Sequence, residues 1–312
     1  MKDTIKKEYN FLTFNQPDDY EGKVITTLIS RQTQKSTKKA FLYLHGFNDY
    51  FFQDHMADWA NKEGLNFYAL ELRKYGRSIL PNQTPNDFRD YHEYFEDIDT
   101  AIKHIKENDN NEKIVFMGHS NGGLISSLYA DEGKYKDNIN LLILNSPFFE
   151  FNIDPILKAT FLPLMSALGK SFPKIASPVG LDTGYGYSIH KSHEGEWDYD
   201  LKLKPDAGFK IHAGWIRAVR TAQKRLQSGL NIQIPILVMY SKKSVKPGNF
   251  KPEMKHSDSV LNVKDIEFYS GKLGPNITKV SFEGGLHDLL LSEKPVREKV
   301  LSTMSDFVNK NL

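Results

Sequence analysis

Apolar and polar positions along the chain fall into two alternating rhythms. Short, nearly unbroken apolar runs occur at residues 39–44, 65–72, 113–117, 140–144, 234–240 and 278–282. Runs of this length predict strands buried on both faces. Helical stretches lie between them. From Asp90 to Ile105 the apolar residues Tyr91, Phe95, Ile98, Ile102 and Ile105 step by four and three, which makes one helix face. Residues 53–62 carry helical signals, and Gly64 is placed to end that helix. Residues 295–309 predict a last helix that buries Val296, Val300, Met304, Phe307 and Val308. Near the start, residues 9–14 and 23–31 predict two antiparallel edge strands joined by a turn at Gln16-Pro17-Asp18-Asp19. Strands alternating with helices predict an α/β fold, a mostly parallel central sheet with helices on both faces.

The alternation stops at Asn145-Ser146-Pro147. Residues 148–229 hold Pro155, Pro163, Pro173, Pro178 and Pro205 among many aromatics, with helical patches at 155–168 and 209–227. The sheet pattern then resumes. The expected organisation is a core domain of residues 1–147 and 230–312, interrupted by a helical lid, or cap, at 148–229.

One stretch carries candidate chemistry. Gly118-His119-Ser120-Asn121-Gly122-Gly123 lies between a predicted strand and a predicted helix at 124–130. A G-x-S-x-G segment in that context is a nucleophile elbow. The chain must reverse within a few residues, and the glycines let strand and helix approach while the serine hydroxyl stays exposed at the turn. Ser120 is therefore the candidate nucleophile.

A serine hydroxyl is a poor nucleophile at neutral pH and needs a base. Of the 10 histidines, His287 is the candidate. It follows the last predicted strand through Gly284-Gly285-Leu286, which puts it on the rim where Ser120 sits. His119 is adjacent to Ser120 and would point away from it. His45 is read as stiffening the loop after the 39–44 strand. The base needs a carboxylate to fix its tautomer, expected after the 234–240 strand in the chain order Ser, acid, His. Residues 241–247 hold none, so Asp258 is preferred over Glu253 and Asp288. Two backbone amides should hold a developing oxyanion, those of Asn121 and Phe47. A polar cluster at His190, His193, Glu194, Glu196, Asp198 and Asp200 matches no metal-ligand spacing and reads as a solvated loop.

Composition narrows the remaining classes. The 41 basic and 39 acidic residues give a charge of +2 with no Lys/Arg block, which argues against nucleic acid. The chain has 0 Cys, which excludes disulfides, cysteine catalysis and thiolate metal sites. No apolar run approaches the ~20 residues of a membrane span. Residues 1–10 are charged and lack an apolar stretch, so no signal peptide is expected, and a cytoplasmic location fits.

These residues together resemble the α/β-hydrolase superfamily, and within it the lid-bearing branch of monoacylglycerol lipases, lysophospholipases and serine-aminopeptidase-like hydrolases. His45-Gly46-Phe47 is similar to that branch's H-G oxyanion loop, and residues 118–123 to its G-H-S-x-G-G elbow. Glu71-Leu72-Arg73-Lys74-Tyr75-Gly76-Arg77-Ser78 is similar to its D-x-R-G-x-G-x-S stretch, with Glu for Asp and Lys74-Tyr75 for Gly-His. The branch keeps its acid a few residues past the preceding strand, where Ser244 stands here. Other bacterial α/β hydrolases carry S-D-x-V-L-D and G-x-L-H-D-x-x-L-S segments. Residues 257–262 and 285–292 are similar, and Asp258 is the acid that the first segment retains.

The resemblance implies a serine hydrolase that cleaves apolar acyl or aryl esters through an acyl-enzyme on Ser120, with Asp258 and His287 completing the set. The expected partner is a small ester or lipid-like molecule, and no metal or organic cofactor is expected. Two other functions stay open. An aminopeptidase-like amide hydrolase would need a lid carboxylate for the substrate amine, with Glu194 and Glu196 as candidates. A catalytically silent fold would serve in binding.

Overall fold

The computed structural model describes residues 8–312. The expectation about a signal peptide at residues 1–10 lies largely outside them. Eight strands form one sheet: β1 (Asn10–Asp19), β2 (Gly22–Arg31), β3 (Lys39–Leu44), β4 (Asn66–Glu71), β5 (Lys113–His119), β6 (Ile139–Asn145), β7 (Ile236–Ser241) and β8 (Ile277–Phe282). Their spatial order is β1-β2-β4-β3-β5-β6-β7-β8. β2 pairs antiparallel with β1 and with β4, and every pair from β4 to β8 is parallel. This is the α/β-hydrolase fold.

The apolar runs become strands because both of their faces are covered. Leu42, Leu44, Phe116, Leu142 and Leu144 face one core together with the helices α2 (Glu93–Lys103), α3 (Asn121–Glu132) and α6 (Ala213–Gln227). Phe41, Tyr43, Val115, Met117, Leu141 and Ile143 face the other, under α1 (Asp54–Lys62) and α8 (Lys294–Asn311). The period-2 alternation thus sorts one strand into two dry layers. Tyr91, Phe95, Ile98, Ile102 and Ile105 are all buried on one side of α2 and the turn beyond it. Gly64 follows α1 with φ +80, the left-handed geometry of a helix stop.

The first turn falls elsewhere than expected. β1 continues through Pro17 to Asp19, and the chain reverses at Tyr20-Glu21 before Gly22 (φ +91). The register shifts between Gln16 and Asp19. Pro17 has no N–H to give a ladder, and a bulge on an edge strand tolerates it.

The 148–229 segment leaves the sheet after β6. It contains α4 (Pro155–Ser171), the short α5 (Gly184–Ile189) and α6, which starts at Ala213 rather than at Phe209. α4 packs on α6, and α6 on α3. A third apolar cluster joins this segment to the sheet's rim through Tyr50, Phe52, Ile189, Tyr199, Leu203, Leu286 and Leu291. Helix α7 (Val263–Ser270) precedes β8.

Residues 71–78 form a charged turn that locks the rim after β4. Arg73 reaches Asp97 of α2 with Nη2–Oδ1 at 2.8 Å and Nε–Oδ1 at 3.0 Å, both side chains being buried. Glu71 takes Arg77 and the Phe51 amide. Breaking a buried pair removes much of its compensation, although Arg73 Nη2 keeps Glu96 Oε2 at 2.7 Å. Asp97→Asn is therefore expected to lower the unfolding free energy by about 1–3 kcal/mol. Chemical denaturation checks this, and an unchanged midpoint and slope would refute it.

Candidate active site

Ser120 sits at the junction of β5 and α3 with φ 52 and ψ −117, a conformation uncommon for a residue with a side chain. Close packing enforces it. A Cβ on Gly118 would lie 2.4 Å from the Gly122 carbonyl oxygen, and one on Gly122 would lie 2.3 Å from the His45 carbonyl oxygen. Strand, helix and the loop after β3 therefore meet with no room for side chains. Gly46 brings that loop within 3.1 Å of Ser120 Cβ, measured from a Cβ added to Gly46. Among the described residues, neither the Phe47 nor the Asn121 amide has a hydrogen-bond acceptor. Asn121 opens α3, where such free amides are inherent in helix geometry.

His287 lies in the loop after β8, held from both sides. Its Nε2 is 3.0 Å from Ser120 Oγ, and its Nδ1 is 3.0 Å from Asp258 Oδ2. Asp258 is fully buried. Its other oxygen, Oδ1, accepts the Val260 and Leu261 amides at 2.8 and 2.7 Å, which fixes the carboxylate plane. The long loop after β7 goes out and returns, so that Asp258 pairs beside Ser244. Asp258 N–H donates to the Lys243 carbonyl, and Val245 N–H to the Asp258 carbonyl, both at 2.9 Å. Ser244 Oγ accepts from the Val263 amide and donates to the Leu261 carbonyl. The position just past β7 thus supports the carboxylate without supplying it.

The rival carboxylates lie elsewhere. Glu253 is exposed. Asp288 is buried on the far side of the same loop, where it accepts from Asn145 Nδ2 at 2.7 Å and from the Leu290 amide. The remaining histidines nearby are tied up. His119 Nδ1 donates to the Asn145 carbonyl at 3.1 Å, and burial pushes its pKa down. It stays neutral beside His287, whose ring centroid is 4.9 Å away. His45 Nε2 accepts the Leu72 amide, so its Nδ1 donates to the Gly46 carbonyl at 2.8 Å. That neutral ring pins the loop carrying Phe47.

Ser120 and His287 open onto a cavity of about 230 Å³. Its walls come largely from the 148–229 segment. Part of the lining is aromatic: Phe47 packs on Trp215 at 4.5 Å between ring centroids, and Phe148 on Phe151 at 5.0 Å. Asn48, Asp49, Tyr199 and Lys204 add polar groups to it. Burial pushes the Asp49 carboxyl up, but Lys204 beside it, together with His119 and His45, more than reverses this, so its pKa lies below the usual carboxylate value. Nothing in the sequence signalled Lys204 or Asp49.

The polar cluster at 190–200 does not converge. His190 bonds Ser192 and the Tyr199 carbonyl, His193 bonds Asp206, and Glu196 pairs with Arg297 outside the cavity. No group of three or more metal-ligating side chains forms among the described residues.

This chain belongs to the α/β hydrolases, and within them to the family described as serine aminopeptidase, S33, whose model matches residues 35–294. Solved structures resemble it along nearly its whole length. A soluble variant of monoglyceride lipase from Saccharomyces cerevisiae, in complex with a substrate analogue, is 16% identical with a TM-score of 0.70. That alignment covers 99% of this chain and 98% of the lipase. A thermostable carboxyl esterase from Bacillus coagulans, in complex with glycerol, is 16% identical with a TM-score of 0.66, covering 96% and 98%. Est1E from Butyrivibrio proteoclasticus, bound to ferulic acid, is 17% identical with a TM-score of 0.58, covering 92% and 96%. At these identities the likeness is one of fold. No curated protein sequence matches the chain.

Burial pushes the His45 pKa down to about 4. The unfolded chain binds a proton there near pH 6.5, and the folded one does not until about pH 4. His45 therefore contributes no penalty above pH 6.5 and destabilises increasingly as pH falls toward 4, by on the order of 3 kcal/mol. Denaturation at neutral pH and at about pH 4.5 measures the loss, which should be smaller in His45→Asn. An equal loss in both proteins would remove His45 as a cause.

Proposed function

We propose that this protein is a serine esterase that cleaves apolar acyl or aryl esters through an acyl-enzyme on Ser120. The observation that carries the reading is the line Ser120 Oγ, His287 Nε2, His287 Nδ1, Asp258 Oδ2, with both links at 3.0 Å. In the proposed mechanism His287 takes the hydroxyl proton as Oγ attacks the ester carbonyl carbon. The Phe47 and Asn121 amides donate to the oxyanion. Asp258 Oδ2 accepts the Nδ1–H and stabilises the imidazolium. His287 then protonates the leaving alcohol. A water takes the alcohol's place, loses a proton to His287 and bonds to the acyl carbon. The bond from that carbon to Ser120 Oγ then breaks, Oγ recovers the proton from His287, and the acid leaves.

The aromatic side chains that line the cavity support an apolar group on the substrate. The monoglyceride lipase and carboxyl esterase folds are consistent with an ester. On this reading residues 148–229 form a lid over the rim, and the enzyme works on a small molecule in the cytoplasm. The amide alternative calls for a buried lid carboxylate near the substrate amine. Glu194 and Glu196 are exposed and line no part of the cavity. The lid carboxylates that do line it are Asp182, which is exposed, and Asp206, which is half-buried and bonded to His193 at 2.8 Å.

The test compares hydrolysis of aryl and acyl esters of rising chain length with hydrolysis of aminoacyl amides. Esters should turn over faster than the amides. Ser120→Ala should lower kcat by about 10⁴- to 10⁶-fold without unfolding the protein. Asp258→Asn keeps the shape but offers the imidazole the wrong partner, and should cost up to ~10⁴-fold. Glu253→Gln should behave as wild type. Near-normal ester turnover in Ser120→Ala would contradict the nucleophile. Full activity in Asp258→Asn, with loss in Asp288→Asn, would move the acid.

A further inference from the structure

Residues 199–206 of the insertion lie across the loop that follows β3. Lys204 Nζ donates to Asp49 Oδ1 at 2.8 Å and to the Asn48 carbonyl at 3.4 Å. Asn48 Nδ2 donates back to the Pro205 carbonyl at 2.9 Å. The Asp200 amide donates to the Tyr50 hydroxyl at 2.7 Å. Asn48, Asp49 and Lys204 are each more than nine-tenths buried and line the cavity that holds Ser120.

These contacts bear on a turn. Asn48 has φ 51, a left-handed conformation that asparagine adopts more readily than other residues with a side chain. The insertion braces that turn through hydrogen bonds. Among the described residues, the hydrogen-bond partners of the Asn48 carbonyl and Nδ2 both come from residues 204 and 205. Asn48 is next to Phe47. A shift in its backbone turns the peptide that precedes it, which carries the Phe47 carbonyl, and passes through the Phe47 Cα to the Phe47 N–H one peptide further back.

A lysine is also a costly way to fill a buried space. An apolar side chain could pack beside Phe52, Tyr185 and Tyr199, whose ring centroids lie about 6 Å from Lys204 Nζ. Only a multiple donor can hold the Asp49 carboxylate and the Asn48 carbonyl together.

We infer that Lys204 is a positioning residue. Through Asp49 and Asn48 it holds the 45–50 loop so that the Phe47 amide is aimed at the oxyanion. The inference rests on the oxyanion role proposed for Phe47. It makes the insertion part of the catalytic scaffold at this corner, whatever its other parts do.

The test uses Lys204→Met, Lys204→Arg, Asp49→Asn and the double variant Lys204→Met/Asp49→Asn in the full chain. Three readouts are compared: kcat and KM on short and medium-chain aryl esters, inhibition by a trifluoromethyl ketone, and amide hydrogen exchange. The ketone forms a tetrahedral oxyanion on the serine. Lys204→Met should lower kcat about 10- to 100-fold. KM should stay within about twofold, since ground-state binding is untouched. Ketone affinity should fall with kcat, and exchange should quicken at residues 45–50 while the β5 and α3 amides keep their protection. Lys204→Arg should recover most of the rate. The double variant should be no worse than Lys204→Met, because the two groups act as one unit.

A change in KM alone would make Lys204 a substrate contact and overturn the inference. So would unchanged exchange at 45–50, or a fall in kcat with ketone affinity intact. If Lys204→Met does not fold, Asp49→Asn and Lys204→Arg carry the same readouts. If the wild-type protein hydrolyses no ester and takes no ketone, the esterase reading fails. Loop exchange then still decides whether Lys204 holds the loop.

Discussion

The close approach of β5, α3 and the loop after β3 is the constraint on which the site depends. Gly118 and Gly122 leave no space for a Cβ, and Ser120 takes a positive φ as a result. That turn puts the hydroxyl on the rim and the open end of α3 beneath it. The parallel sheet makes the rim useful, because β3, β5, β7 and β8 all end there. Loops from those strands bring Phe47, Ser120, Asp258 and His287 to one place from positions far apart in the chain. The strain at Ser120 is sustained by two dry layers of core, one on each face of the sheet.

In the proposed site Asp258 comes from well past the end of β7 rather than from the position beside it. The loop after β7 makes a detour and returns to pair alongside Ser244. The backbone bonds of residues 243–245 to Asp258 put the carboxylate beside the end of the strand. A short loop would have needed an acid at Ser244 itself. The serine instead caps the returning chain through its hydroxyl.

Much of this was legible in the side-chain pattern, and the exceptions have physical reasons. Strands buried on both faces have a composition that polar turns interrupt cleanly, so β3 to β8 could be placed from the chain alone. The elbow was legible because glycine spacing reports a backbone approach directly. Asp258 was expected from chain order, elimination and the resemblance of residues 257–262, since its backbone pairing with residues 243–245 leaves no side-chain signature. The turn after β1 was misplaced because Pro17 and two aspartates mimic a turn while lying in an edge-strand bulge. Asp49 and Lys204 escaped notice because they are separated by 155 residues and each alone reads as a surface charge. Burial turned them into a pair, and burial of that kind depends on the tertiary fold.

The central claim is that Ser120 is an activated nucleophile. Covalent labelling with a fluorophosphonate tests it most directly, because the reagent bonds to a serine oxygen only when a base assists. The account predicts a single adduct by intact mass, located by peptide mapping to Ser120 and absent from Ser120→Ala. No adduct on the folded protein, or an adduct on another serine that persists in Ser120→Ala, would contradict it.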